Sequence, residues 1–358
     1  MNSNLTKIKL MIQDPLRKPL IQIGYELFIE TLRLKRLPKE YLSRFVYRKG
    51  YPSLKHYVSD ALIGQIQLSQ RLHSPQSVQL LLNKLAFFKF AKEHDIPTAT
   101  VLAYSKEGKL YTIDDQPCDS STVELFKQTL NQWIQTSPLQ SLFIKPNDLK
   151  GGVGAFRIDE KSLQDQELMQ SIHQQLHSST MLVQETLVQH PLLNAINPSS
   201  INTIRLDTYQ PLNGEARVIA GCMRFGRVGS VVDNPGTSKG FFVKLNLETH
   251  QLEGVGQQIL TFGNQTLTHH PDTHHPLNGV KIPYVKEAME LVIKATQCIQ
   301  DRLIGWDVCI TPNGPVLIEG NHNYHIVMLE IANGGYALRE NYQDVIKEVL
   351  EENSMHAM

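Results

Sequence analysis

The first part of the chain carries apolar residues at helical spacing. Over residues 21–37 they recur every three or four positions until a proline ends the pattern, which predicts an amphipathic helix. A second helix is predicted over 54–72. A third is predicted to begin at Ser77 and to end before Pro97, because the residue that precedes a proline is disfavoured in helical geometry. We therefore predict a helical N-terminal region over residues 1–76.

Strand patterns dominate the remainder of the chain. Strands are predicted over 142–146, 181–187, 201–210 and 215–226, and two strands around a turn are predicted over 241–252 and again over 306–321. The alternation of apolar and polar residues over 201–210 is typical of a half-buried strand. The segment 306–321 is predicted to be a hairpin, because its two apolar runs flank Pro312, Asn313 and Gly314.

Further helices are predicted among and after these strands. One covers 121–136, and one covers 285–303, where apolar residues keep a helical period. The last begins after Glu340 and is expected to give way to a disordered tail.

Composition places the chain among ordinary globular proteins. Of its 358 residues, 41% are hydrophobic and 20% charged, enough for a large core and for two domains or three small ones. The 35 Lys and Arg balance the 35 Asp and Glu, so no bulk charge favours nucleic acid or another charged partner.

The charge is unevenly distributed along the chain. Residues 1–60 hold 12 Lys and Arg against 5 Asp and Glu, an excess of seven positive charges. Such a segment is suited to contact with a membrane or a lipid-linked substrate. A solvated helical face is the commoner explanation of the same composition.

Cysteine usage and hydropathy indicate a cytoplasmic protein. The chain has four cysteines and no CxxC pair, which is typical of a reducing compartment. The first residues contain no apolar run of secretory type, and no stretch of about 18 apolar residues is present to span a membrane.

The predicted C-terminal hairpin carries a candidate metal site. Glu319 and Asn321 lie two positions apart, so their side chains leave the same face of a strand, and the turn brings Asp307 back towards them. Two carboxylates and an amide oxygen are ligands that Mg²⁺ accepts beside nucleotide phosphates. The alternative is a hairpin whose polar residues face water, although the apolar neighbours favour burial.

A second candidate site follows the strand over 142–146. Lys145 ends that strand, and Gly151, Gly152 and Gly154 follow in a short polar loop whose backbone amides can approach phosphate oxygens. The loop matches neither GxxxxGK[ST] nor GxGxxG. By itself it is more often an ordinary turn.

Two further cations are less specific signals. Lys84 alone is a surface lysine on a helix. Arg205 lies in a strand of apolar and small residues, where a buried guanidinium indicates a bound anion or, more commonly, an ion pair.

The order of these features resembles the ATP-grasp superfamily over roughly residues 78–325. The segments SINTIRLDTY, GSVVDNPG and GWDVCITPNGPVLIEGN are similar to the sugar-transfer-associated ATP-grasp family. The resemblance implies an α+β fold in which two lobes grip ATP, with a helical N-terminal extension. The implied lobes cover 77–187 and 188–345, and 346–358 form a tail.

The resemblance also implies roles for individual residues, with ATP and Mg²⁺ as cofactors. Lys84 and Lys145 would hold the phosphates, and the three glycines would close over them. Gln184, Glu185 and Leu187 would form the hinge strand beside adenine. Asp307, Glu319 and Asn321 would bind magnesium, while Arg205 together with Lys145 would stabilise the transferring phosphoryl group. Asn202 is a lesser candidate for the same place as Arg205.

Several polar residues are weaker candidates for contact with a substrate. Asp233, Asn234 and Lys239 lie in a loop that is equally explained as an Asn-Pro-Gly turn. The four histidines within 269–276 lack zinc-site spacing, so we predict a loop in which His275 lines the acceptor site. His322 and His325 follow the metal candidates directly.

The leading hypothesis from this resemblance is a carboxylate–amine ligase that works through an acyl phosphate. Its association with sugar transfer suggests that an amino acid is joined to a sugar carboxylate or a surface-polysaccharide precursor. The alternatives are a kinase that phosphorylates a small-molecule or sugar hydroxyl, and a regulator that binds nucleotide without catalysis. The intact set of candidate residues argues against the regulator.

Overall fold

A computed structural model of the chain describes residues 3–149, 151–236, 239–324 and 326–356. Its strands, in chain order, are β1 (Val101–Lys106), β2 (Lys109–Thr112), β3 (Pro117–Cys118), β4 (Ser141–Pro146), β5 (Phe156–Asp159), β6 (Met181–Glu185), β7 (Thr203–Tyr209), β8 (Arg217–Phe225), β9 (Phe241–Leu245), β10 (Leu252–Gln257), β11 (Thr266–Leu267), β12 (Leu303–Thr311) and β13 (Gly314–Asn321). They form two antiparallel sheets of order β3-β2-β1-β6-β4-β5 and β11-β10-β9-β8-β7-β12-β13.

The helices are α1 (Ser3–Gln13), α2 (Leu20–Leu34), α3 (Glu40–Ser43), α4 (Asp60–Leu68), α5 (Pro75–Leu82), α6 (Lys84–Glu93), α7 (Val123–Thr136), α8 (Gln166–Ser178), α9 (Pro191–Ile196), α10 (Val285–Ile299), α11 (Val327–Asn333) and α12 (Glu340–His356), with 3-10 turns at Leu54–His56 and Ser162–Gln164. Within the described ranges, no helix is both long and apolar enough to cross a membrane.

The six-stranded sheet packs under α7 and α8. Phe126, Leu130 and Ile134 recur at four-residue spacing in α7, so they lie on one stripe of the helix, and all three are buried. They share a hydrophobic cluster with the sheet residues Leu142 and Ile144. This amphipathic packing fixes β4, the strand that ends with Lys145 and Pro146.

The seven-stranded sheet is covered on both faces. On one face, Ile204 and Leu206 share a hydrophobic cluster with the buried stripe of α10. On the other, Tyr209 shares a cluster with residues of the N-terminal helices, α11 and α12. Every residue of β7 is therefore buried, and the prediction of a half-buried strand over 201–210 is wrong. Polar and apolar residues alternate there because Thr203 and Arg205 line a cavity, whereas the intervening Ile204 packs in the hydrophobic cluster.

The N-terminal helices share one hydrophobic core with the second sheet rather than packing only among themselves. Ion pairs tie the same interface together. The buried guanidinium of Arg44 contacts Asp60 at 2.8 Å and Glu330 of α11 at 3.4 Å. The imidazole of His73 lies 2.9 Å from Asp301, next to β12.

Local capping explains two differences between predicted and observed helices. The predicted helix over 54–72 is a 3-10 turn followed by α4, with Ser59 as N-cap, because its hydroxyl accepts a hydrogen bond from the Leu62 amide. The predicted helix from Ser77 is divided at Asn83, whose side chain accepts a hydrogen bond from the Ala86 amide and starts α6. The helix over 21–37 is confirmed as α2.

The C-terminal predictions are confirmed in part. The hairpin over 306–321 is β12 and β13, and the helices over 121–136 and 285–303 are α7 and α10. The predicted disordered tail is wrong as far as His356, because α12 continues to that residue. Tyr342 and Val349 of α12 are buried in the core, which stabilises the helix beyond its first turns.

Candidate active site

A cavity of about 1010 Å³ lies between the two sheets. The six-stranded sheet contributes Lys145 and Gln184, the seven-stranded sheet contributes Arg205 and Asp307, and the N-terminal region contributes Lys7 among others. Its volume is at the upper end of the ~300–1,000 Å³ typical of ligand sites. The cavity therefore combines side chains that are far apart in sequence.

Two lysines gather on the side of the cavity formed by the six-stranded sheet. The pKa of Lys145 is lowered to about 8, mainly by burial and to a lesser extent by the nearby charge of Lys84, while Glu319 opposes the shift. Two cations held close together in a partly desolvated site fit an anionic ligand, since an anion would relieve both effects. These residues fit the phosphates of a nucleotide.

Lys84 also joins α6 to the loop that follows β4. Its ammonium donates to the carbonyl oxygens of Asn147 at 3.1 Å and Leu149 at 2.6 Å. The Asn147 side chain accepts a hydrogen bond from the Leu85 amide at 2.9 Å. These contacts hold Lys84 of α6 against the loop that follows Lys145 of β4, and no sequence spacing indicates them.

The glycine loop is in contact with a loop of the other sheet. Gly151 and Gly152 line the cavity, and Gly154 lies just outside the described lining. Gly152 has φ +77°, and a Cβ atom there would lie 2.6 Å from Cγ1 of Val232. Glycine is required at this position because the backbone is left-handed and the neighbouring loop approaches closely.

The predicted hinge residues lie along the connection between the sheets. Gln184 and Glu185 end β6, which pairs with β1 and β4, and Leu187 follows in the connection to α9. All three line the cavity. The Glu185 amide donates to the Thr100 carbonyl at 3.0 Å, so the strand is anchored where it leaves the sheet.

Asp307 is the centre of a buried ionic network on the opposite side of the cavity. Its Oδ1 accepts a hydrogen bond from Nε of Arg205 at 2.6 Å, and its Oδ2 accepts one from a terminal nitrogen of Arg224 at 2.7 Å. Burial alone would raise the pKa of Asp307, but the two guanidinium groups hold it below its ordinary value. The ion pair that the sequence offered as the commoner explanation of Arg205 is therefore present.

Arg224 extends this network and was missed by the sequence analysis. Its Nε donates to the Thr203 hydroxyl at 2.8 Å, and it lies 3.4 Å from Asp233. Asp233 in turn accepts a hydrogen bond from the Thr203 amide at 2.8 Å. Arg224 stands between the apolar residues Met223 and Phe225, and an arginine in such a setting is the signal that could have identified it, as it identified Arg205.

A fully buried carboxyl group, that of Asp207, lies on the same strand as Arg205. Asp207 is two residues further along β7 and fully buried, and burial raises its pKa well above the ordinary value, against the opposing charge of Arg205. The ring of Tyr324 covers Gly305 beside it, where a Cβ atom would lie 2.6 Å from that ring. Arg205 forms its ion pair with Asp307.

The candidate metal ligands lie at the same end of the β12–β13 hairpin. Asp307 is the register partner of Glu319, and Asn321 donates to Oε1 of Glu319 at 3.1 Å. Across residues 3–149, 151–236, 239–324 and 326–356, no three His, Cys, Asp or Glu side chains are grouped to hold a metal. The oxygen donors fit Mg²⁺ only as a partial set, completed by oxygens of a ligand or water.

The structure separates the predicted substrate residues into two groups. Asp233 and Asn234 line the cavity. Asn202, Lys239, His275 and His322 lie outside the described lining, and His325 lies outside the described residues. Asn202 is fully buried and donates to the Gln189 side chain at 2.9 Å, in a polar network with Asn197.

Solved structures with a similar arrangement have low sequence identity to this chain. D-alanyl-alanine synthetase A from Vibrio cholerae O1 biovar eltor str. N16961 is 14% identical, with a TM-score of 0.46 over 83% of this chain and 75% of that one. The ATP-grasp ligase PsnB, in complex with a minimal precursor, Mg and ADP, is 10% identical, with a TM-score of 0.42 over 79% of this chain. This chain covers 62% of PsnB, less than two thirds of its length. No conclusion about this chain rests on likenesses of this size.

Sequence comparison with families is more informative. Comparison with curated proteins gives no match. The model of the family described as sugar-transfer associated ATP-grasp matches residues 64–347, well over half of the chain. The match confirms both the resemblance and the fold expected from it, and the chain belongs to the sugar-transfer-associated ATP-grasp family.

Proposed function

We propose that this protein is an ATP- and Mg²⁺-dependent ligase that activates a carboxylate and joins it to an amine. The observation that carries this proposal is the cavity itself. One side of it is lined by Lys84 of α6, Lys145 of β4 and the glycine loop, and the other by Arg205, Asp307, Glu319 and Asn321 of the seven-stranded sheet. A cationic wall and a wall of oxygen donors are the two parts that phosphoryl transfer requires.

Each wall has a distinct role in the proposed reaction. Lys84 and Lys145 hold phosphate oxygens, and Gly151, Gly152 and Gly154 bring backbone amides close to them. Gln184, Glu185 and Leu187 form the edge against which adenine lies. Glu319, Asn321 and Asp307 hold magnesium.

The chemistry follows from charge neutralisation and exclusion of water. Bound ATP would supply the phosphoryl group that converts the carboxylate into an acyl phosphate. Arg205 and Lys145 stabilise the negative charge that develops on the transferring oxygens. The glycine loop, in contact with the loop of Val232, keeps water from the activated acid.

The proposed substrates are an amino acid and a sugar carboxylate or surface-polysaccharide precursor. The sugar-transfer association of the family supports this class, and Asp233 and Asn234 are the cavity residues placed to contact the acceptor. Asn202, Lys239, His275 and His322 lie outside this lining, and the proposal assigns them no direct contact with the acceptor. The basic N-terminal region is proposed to contact a membrane or a lipid-linked saccharide on the cytoplasmic side.

Analysis of nucleotide products tests the proposal. The protein is incubated with ATP and panels of amino acids and uronic-acid sugars, with and without Mg²⁺. We expect magnesium-dependent ADP and phosphate only when a carboxylate and an amine are both present. ADP with a phosphorylated acceptor and no free phosphate would instead identify a kinase, and AMP with pyrophosphate would contradict the acyl-phosphate route.

A further inference from the structure

Helix α2 has two apolar faces on opposite sides. Ile23 is buried and Leu27 packs beside it against the core. On the other side, Ile21, Tyr25, Phe28 and Leu32 are exposed to 89%, 65%, 61% and 61%. Their spacing of four, three and four residues places them on one stripe along the helix. A soluble surface helix ordinarily carries polar residues there.

Helix α1 repeats this pattern. Leu5, Ile8 and Ile12 recur at helical spacing and are exposed, while Met11 is buried in the core. We refer to these residues with Ile21, Tyr25, Phe28 and Leu32 as the apolar stripes. Seven large apolar side chains are thus exposed on two successive helices, and exposed apolar surface of this extent marks a site of interaction.

The charges around the apolar stripes favour an anionic partner. Residues 1–39 contain eight Lys and Arg and three Asp and Glu, an excess of five positive charges. All three acids are held by cations of the chain itself: Asp14 by Arg48, Glu26 by Lys18 and Glu30 by Arg33. Among the cations, Lys9, Lys35 and Lys39 are exposed.

From these observations we propose that α1 and α2 dock on the surface of an anionic lipid bilayer. Helices that combine exposed Leu, Ile, Phe and Tyr with surrounding lysine and arginine lie in the interface of a membrane, where apolar side chains enter the acyl boundary and cations meet anionic headgroups. A protein partner would need an apolar surface surrounded by acidic residues to match these helices. A bilayer supplies both an apolar interior for the exposed side chains and anionic headgroups for the cations.

The docking surface adjoins the cavity. Lys7, which lines the cavity, belongs to the same helix as Leu5, Ile8 and Ile12. This part of the inference rests on the proposed function: a substrate whose lipid stays in the bilayer can present its polar head to the cavity past Lys7. The substrate class is then an anionic, lipid-linked saccharide rather than a freely diffusing sugar.

Vesicle flotation of the full chain, without nucleotide, tests the docking surface. Vesicles of phosphatidylcholine alone are compared with vesicles that also contain phosphatidylglycerol. We expect binding to the anionic vesicles and its loss at high salt. The double variant Tyr25→Glu/Phe28→Glu is expected to reduce binding more than tenfold, and Lys35→Ala/Lys39→Ala about fivefold per lysine.

Two controls separate docking from general effects. Leu212→Glu/Leu338→Glu replaces two equally exposed apolar residues outside α1 and α2 and should leave binding unchanged. Sedimentation of the wild type and the Tyr25→Glu/Phe28→Glu variant shows whether the stripes instead join two copies of the chain. A dimer that this variant dissociates, equal binding by the variant, or no binding of the wild type to anionic vesicles would each overturn the proposal.

The vesicle assay is independent of the reaction. A protein that binds vesicles but does not turn over ATP would leave the docking surface intact and contradict the ligase. A protein that ligates soluble substrates but does not bind vesicles would support the ligase and contradict the docking surface.

Discussion

The two walls of the cavity are built in opposite ways. On the six-stranded sheet, Lys145 and the glycine loop lie within about a dozen residues of each other, and the Lys84 ammonium contacts a backbone carbonyl just before the glycines. On the seven-stranded sheet, Arg205, Arg224 and Asp307 come from three strands and are each less than a tenth exposed. The first wall comes from one segment of the chain, and we call it the open wall. The second is built from three strands with buried side chains, and we call it the closed wall.

This difference suggests different roles for the two walls, one that moves when a ligand binds and one that stays fixed. A glycine loop can move as a ligand enters, because glycine permits many backbone conformations. A network of buried ion pairs cannot rearrange without leaving charges unpaired, so it fixes the positions of the groups that meet developing charge. We therefore expect changes on the closed wall to affect turnover and stability strongly, and changes on the open wall to affect nucleotide affinity.

The largest effect is expected for Glu319→Gln on the closed wall. The substitution keeps size and hydrogen bonding but removes a charged oxygen donor, so ATP turnover should fall by on the order of 10³-fold, the scale of losing a key electrostatic contact. Turnover is measured by ADP release and folding by circular dichroism. Glu290→Gln on the exposed side of α10 is the matched control, and retained turnover in Glu319→Gln would exclude its proposed role.

Arg224→Ala should be next in size and should affect stability. It leaves Asp233 and Asp307 buried without one of their cations, a change that typically costs about 3–5 kcal/mol. Urea denaturation measures the loss. Arg227→Ala breaks the more exposed pair with Asp272 and should cost less than about 1 kcal/mol. Equal losses would mean that the buried network is not a structural unit.

Lys145 provides a pH-dependent test of the open wall. Its pKa is lowered to about 8, so the ammonium is charged below that pH and neutral above it. Nucleotide affinity should therefore fall as pH rises through about 8, by up to about tenfold per pH unit. Calorimetric titration with ATP measures this slope. Lys145→Arg stays charged and should remove it, and an unchanged slope in that variant would assign the titration to another group.

The smallest effect is expected for Gly152→Ala. Its left-handed backbone costs about 1 kcal/mol for alanine, and the new Cβ atom would crowd Val232. We expect KM for ATP to rise several-fold with little change in kcat. Gly229→Ala has the same sign of φ but no neighbour within 4 Å, so it isolates the strain from the crowding. Val232→Ala should partly rescue Gly152→Ala; without rescue, the contact between the loops has no role in binding.

Most of the local structure was accessible from the sequence. The spacing of apolar residues predicted α2, α7 and α10, and the Pro312-Asn313-Gly314 turn predicted the β12–β13 hairpin. Glu319 and Asn321 share a strand face because side chains alternate along a strand. Where prediction missed, as at Asn83 or in β7, a capping side chain or a second covering layer decided the outcome.

The sequence by itself determined the family, most of the elements and the proximity of Lys145 to the glycine loop, because these depend on periodicity and on neighbours within one segment. Only the tertiary structure decided the partners of Arg205. It placed Arg224, Thr203 and Asp233 around Asp307, and it left Asn202 in a separate buried network. The physical reason is that ion pairing depends on strand order and burial, and these bring together charges that lie tens of residues apart in the chain.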